Sequence, residues 1–134
     1  MKKSLRFVLT LGVNEGYVNN ASQPDMAAIG ELYKTEALAV MEETGLYISS
    51  VMQAGACLYN TEWGCPVGGE PSVIFAGSLN PAFLPEGEGW IGVEKWKRAV
   101  QILADRMKTA LKQTTATLEF VETEYLYMQT PKEE

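Results

Sequence analysis

The 134-residue chain contains no histidine. That absence removes Ser-His-Asp and Cys-His nucleophile systems, histidine proton shuttles, histidine-ligated haem and the common zinc sites. Aspartate occurs only as Asp25 and Asp105, too few for an EF-hand loop, and there is no P-loop or GxGxxG string. The cysteines, Cys57 and Cys65, cannot form a disulfide scaffold, and their spacing fits neither a redox CxxC pair nor a zinc knuckle. As small apolar or loop thiols they are expected to be reduced, and no metal or cofactor is expected.

Long apolar runs are missing too. No stretch approaches the roughly 20 residues that span a bilayer, so no membrane association is expected. Met1-Lys2-Lys3 has the basic start of a signal peptide, but Arg6 interrupts the apolar run behind it and no small-residue cleavage site follows. The cytoplasm is the expected compartment. Positive charge is the scarcer sign, with 11 Lys and Arg against 17 Asp and Glu and a net charge of −6. An acidic surface repels phosphate backbones, which argues against duplex nucleic acid as a partner.

What is present is a clear order of periodic segments. Leu5, Phe7, Leu9 and Leu11 alternate with Arg6, Val8, Thr10 and Gly12, the period-two signature of a strand. Ser22, Pro24 and Asp25 resemble a helix start, and Met26, Ile29, Tyr33, Ala37, Val40 and Met41 form one apolar stripe that ends at Gly45. This predicts a helix over 23–44. Residues 46–59 favour strand, with a bulge or break at Gly55, and 72–76 read as a third strand. A second helix follows the loop 80–92, with its stripe on Val93, Trp96, Val100, Leu103, Met107 and Leu111. Residues 116–128 close the chain as a strand.

The order β-α-β-β-α-β is that of an α+β ferredoxin-like sandwich, an antiparallel sheet with two helices on one face. A single domain over 1–130 with a charged tail at 131–134 is expected. The other sheet face would then carry Arg6, Val8, Ile74 or Phe75, and a tyrosine of the last strand, too apolar a surface to leave in water. A homodimer or higher homo-oligomer is the expected cover.

Few residues point to chemistry. Arg6 lies on that open face and suits an anionic group, while Tyr17, Trp63 and Trp90 stand in polar or glycine-rich loops where an aromatic ring can stack on a planar ligand. Trp63 can equally cap the core as part of a long hairpin connection. Glu119, Glu122 and Glu124 do not share one face of the last strand, so they read as edge charges and not as an acid/base group. No catalytic residue is assigned. These features favour an oligomeric, non-enzymatic protein that binds a small molecule, nucleotide-like or otherwise anionic and planar. The alternatives are a cofactor-independent enzyme of the dimeric α/β-barrel type and a pure protein-interaction module.

Overall fold

In the computed structural model, which describes residues 2–14, 24–80 and 89–131, with 89–91 by backbone only, seven elements follow one another. They are β1 (Lys2–Gly12), α1 (Met26–Thr44), β2 (Val51–Cys57), a 3-10 turn (Thr61–Trp63), β3 (Glu70–Ser78), α2 (Gly89–Ala110) and β4 (Thr117–Tyr125). The four strands form one sheet in the order β2-β3-β1-β4, every neighbouring pair antiparallel. The α+β architecture read from the periodicity is the one observed.

The alternation in β1 decides which face is covered. Phe7, Leu9 and Leu11 are each about 1% exposed and meet Val73 and Phe75 of β3 beneath Ile29, Tyr33, Ala37 and Val40 of α1 and Trp96, Val100, Leu103 and Met107 of α2. Both helices therefore pack on one face of the sheet. Phe75 belongs to this covered face, in register with Leu9, whereas Ile74 shares the other face with Val8 and Thr10. Trp96 holds the layers together, its ring centroid 6.0 Å from Phe7 and 5.9 Å from Phe120. Tyr33 stacks on Phe75 at 4.6 Å and donates its hydroxyl to the Ile48 carbonyl at 2.6 Å. Burial raises the Tyr33 pKa to about 12.

The element limits differ from the sequence reading for local reasons. Helix α1 begins at Met26 because Asp25 is its N-cap, accepting from the Ala28 amide at 3.1 Å, while Ser22 lies outside the described residues. Its other end is as expected: Gly45 sits at φ 82 and donates its N–H to the Met41 carbonyl at 2.8 Å. Strand β2 starts only at Val51, since buried Ile48 anchors the preceding connection to the core. Gly55 pairs with Ser72 in an unbroken ladder, so the expected bulge is absent. Strand β3 is longer than 72–76. Pro71 fits there because the β1 ladder ends at Gly12–Ser72, one residue short of it, and no donor is lost on that side. Helix α2 starts earlier than expected, at Gly89, and β4 ends at Tyr125.

Candidate functional site

The sheet has two chemically different ends. At the end where β1 begins, a groove of about 560 Å³ is lined by Lys3, Leu5, Val93, Lys97, Glu122 and Glu124. Its charges are of both signs. Lys3 lies directly across the ladder from Glu124, and Lys97 stands 4.0 Å from Glu94 with its ammonium 5.3 Å above the Phe120 ring. Glu119 faces away from Glu122 and Glu124, so these carboxylates do not converge.

The opposite end, where β1 leaves the sheet, is built differently. Helix α2 terminates in a Schellman motif: the Gln113 amide donates to the Lys108 carbonyl at 2.9 Å and the Lys112 amide to Thr109 at 3.0 Å. The left-handed position is held by Lys112, at φ 56, where glycine is the usual choice. This turn throws Gln113 back over β1. Its Nε2 donates to the carbonyls of Asn14 at 2.9 Å and Leu111 at 3.0 Å, which fixes its Oε1. A Cβ placed on Gly12 would meet that Oε1 at 2.6 Å and Glu70 Oε1 at 3.3 Å. Two acceptor oxygens therefore converge over a residue that only glycine can occupy without displacing them.

Glu70 is half-buried and has no ion-pair partner among the described residues. A carboxylate beside a fixed carbonyl-type oxygen, with no cation supplied, is a site prepared for a positively charged group. Glu70 is paired with Cys57 across the ladder, so the hairpin connection between them borders this site. That connection carries Tyr59, whose hydroxyl is buried, and Trp63, which is 73% exposed. Trp63 therefore does not cap the core. Cys57, at the end of β2, and Cys65, in the connection, are free thiols, with Cys65 Sγ 3.8 Å from the Cys57 carbonyl.

The residues singled out from the sequence do not gather in one place. Arg6 is exposed on the uncovered face, level with Ser78, whereas the Trp63 connection leaves the sheet at Glu70, eight residues further along β3. At the rise of a strand this is roughly 26 Å. Tyr17 lies outside the described residues, and so does the side chain of Trp90, whose backbone opens α2 at the Arg6 end. Glu70 and Gln113 were not singled out. The available signal was Gly12 at the close of an alternating strand and Gly68-Gly69 just before Glu70, both marks of close backbone approach.

A family model described as SAM lyase matches residues 2–129, nearly the whole chain. The chain belongs to the SAM lyase family. Two solved structures are similar to it. A phage SAM lyase in the apo state is 18% identical, with a TM-score of 0.57 over 90% of this chain and 81% of that one. A phage SAM lyase in complex with S-methyl-5'-thioadenosine is 19% identical, with a TM-score of 0.53 over 89% and 81%. At these identities the likeness carries the fold. No curated protein matches the chain significantly. Membership in a lyase family overturns the reading as a non-enzymatic binding protein, which rested on the missing histidine and the lack of a catalytic motif. The small-molecule ligand in that reading is consistent with the family. No helix among the described residues is long and apolar enough to cross a membrane.

Proposed function

We propose that this protein is an enzyme that cleaves S-adenosylmethionine and releases S-methyl-5'-thioadenosine, a reading carried by the family match over residues 2–129. That product requires the bond between the sulfonium and Cγ of the aminobutyrate chain to break, with its electron pair passing to sulfur. Two balanced routes exist. In one, a base removes a Cβ proton and vinylglycine forms. In the other, an oxygen of the substrate's own carboxylate attacks Cγ, and a five-membered lactone forms without any proton leaving carbon.

The second route suits this chain. The sulfonium is already a good leaving group, the nucleophile belongs to the substrate, and a histidine is not needed. The enzyme's task is then to fold the aminobutyrate chain so that carboxylate and Cγ meet, in a site that excludes water. As the carboxylate and sulfonium neutralise each other, a protein carboxylate held against the sulfonium would stabilise the ground state more than the transition state. The α-ammonium keeps its charge throughout. We therefore assign the paired acceptors Glu70 and Gln113 to the ammonium, where they orient the chain without opposing the reaction. We assign exposed Trp63, on the bordering hairpin, to stacking on the adenine.

The test is to incubate the purified protein with S-adenosylmethionine carrying two deuterons at Cβ and to identify the products by mass spectrometry. The expected result is S-methyl-5'-thioadenosine together with homoserine lactone retaining both deuterons. Loss of one deuteron would replace the displacement route by elimination, and absence of the thioadenosine would sink the enzymatic reading.

A further inference from the structure

Ser72 is a buried polar residue for which the fold supplies no use. It is 4% exposed, and its hydroxyl has no hydrogen-bond partner among the described residues, whereas Asn80, likewise buried, is partnered. A buried hydroxyl left unpaired costs free energy that a ligand oxygen would recover. Ser72 is also the middle of a row across three strands. It is the ladder partner of Gly12 in β1 and of Gly55 in β2, and directly paired residues share a face. With a glycine on either side, only the Ser72 side chain rises from the row, which is roughly 10 Å long at ordinary strand spacing. One side of the row is walled by the next, Thr10, Ile74 and Gln53, and the other by Glu70 and Gln113. Strand β4 does not reach it, since the β1–β4 ladder ends at Thr10 and Thr117. A Cβ on Gly55 would stand 3.1 Å from both Ser72 Oγ and Ile74 Cδ1, so the hydroxyl lies along the row, at the level of the side chains the glycines lack.

We propose that the row Gly12, Ser72, Gly55 is the bed for the aminobutyrate end of S-adenosylmethionine, and that Ser72 is a positioning residue whose hydroxyl donates to the substrate α-carboxylate. The proposal rests on the assignment of the α-ammonium to Glu70 and Gln113 over Gly12. Ammonium and carboxylate are bonded to the same carbon, so an ammonium over Gly12 brings the carboxylate beside the next position of the row, whose Cα lies about 4.5–5.5 Å away. Of the three residues, Ser72 alone has a side chain that can donate there. A neutral donor suits the reaction. One carboxylate oxygen stays on the hydroxyl and becomes the lactone carbonyl oxygen, while the other forms the bond to Cγ as the Cγ–S pair passes to sulfur. No proton moves. A lysine or arginine in this place would favour the free carboxylate over the neutral lactone and so raise the barrier.

Calorimetric titration with two unreactive probes tests it. One is S-adenosylhomocysteine, which keeps the carboxylate and ammonium on a neutral thioether, and the other is its decarboxylated counterpart. Wild type is expected to bind the first about 10-fold or more tightly than the second. Ser72→Ala should erase that preference, weakening the carboxylate-bearing probe and leaving the decarboxylated one unchanged. The same variant should lower kcat for S-adenosylmethionine cleavage by about 10-fold. Its denaturant midpoint should be equal to that of wild type or higher, because the hydroxyl it removes has no partner in the fold. Equal weakening of both probes, no weakening of either, or a destabilised Ser72→Ala would overturn the assignment, while release of S-methyl-5'-thioadenosine by wild type would leave the enzymatic reading standing. A wild type that binds neither probe and releases no thioadenosine would overturn both.

Discussion

The groove at the start of β1 and the polar cluster at its end lie on one sheet yet treat charge in opposite ways. In the groove, Lys3 lies across the ladder from Glu124 and Lys97 stands 4.0 Å from Glu94, so charges of both signs are mixed. Over Gly12, a carboxylate and a carboxamide oxygen converge, and among the described residues the carboxylate has no ion-pair partner. Concavity and polar convergence are therefore separate properties here, and the groove is the poorer match to a cationic group. The difference arises from how each end is built. Cross-strand pairs compensate by register, whereas a helix terminus and a hairpin bring together residues that have no local reason to match.

Four experiments probe that contrast. The largest effect is expected from the frame that holds both ends in place: Leu103→Ala, at a side chain about 1% exposed in α2, should cost about 2–5 kcal/mol in denaturant unfolding. A cost below about 1 kcal/mol would mean that α2 does not lock the sheet. Next, Glu70→Gln removes the charge at the polar end while keeping its shape. It should lower kcat/KM for S-adenosylmethionine by about 1.5–3 kcal/mol with little change in unfolding free energy. If the loss appears in stability and not in turnover, Glu70 is structural.

The third effect is restricted to alkaline pH. The unfolded state loses the Tyr33 proton near pH 10, while the folded state keeps it up to about 12. Below pH 10 the favourable contribution is complete, and it is lost as pH rises from 10 to 12, because the unfolded chain then binds fewer protons than the folded one. Tyr33→Phe should flatten that alkaline limb, and an unchanged limb would show that another group governs it. The smallest effects are expected in the groove. Glu122→Gln and Glu124→Gln, at exposed edge positions, should each leave kcat/KM and stability within about 0.5 kcal/mol of wild type. A large loss of turnover from either would move the active site to the groove.

The fold was legible because its signals are local. Four alternating apolar residues declare β1, and the stripes on α1 and α2 repeat every three or four positions. Boundaries were less so, since Asp25 rather than Ser22 caps α1 and buried Ile48 holds back β2, both decided by contacts outside the segment. The candidate site was not legible at all. Glu70 and Gln113 are far apart in the chain and meet only through the hairpin and the Schellman turn at Lys112. The enzyme reading ranked second in the sequence for a chemical reason. A missing histidine excludes many mechanisms, but not one in which substrate supplies both nucleophile and leaving group.

The central position of β1 also bears on how the protein is made. The strand is synthesised before both of its ladder partners, residues 72–78 and 117–125. At translation rates of about 5–20 residues per second, it waits roughly 10 s for β4. Until then Phe7, Leu9 and Leu11 have no complete core to enter, and closure of the sheet must bridge long loops. The apolar face of β1 is thus the part of the sheet that waits longest for its partners.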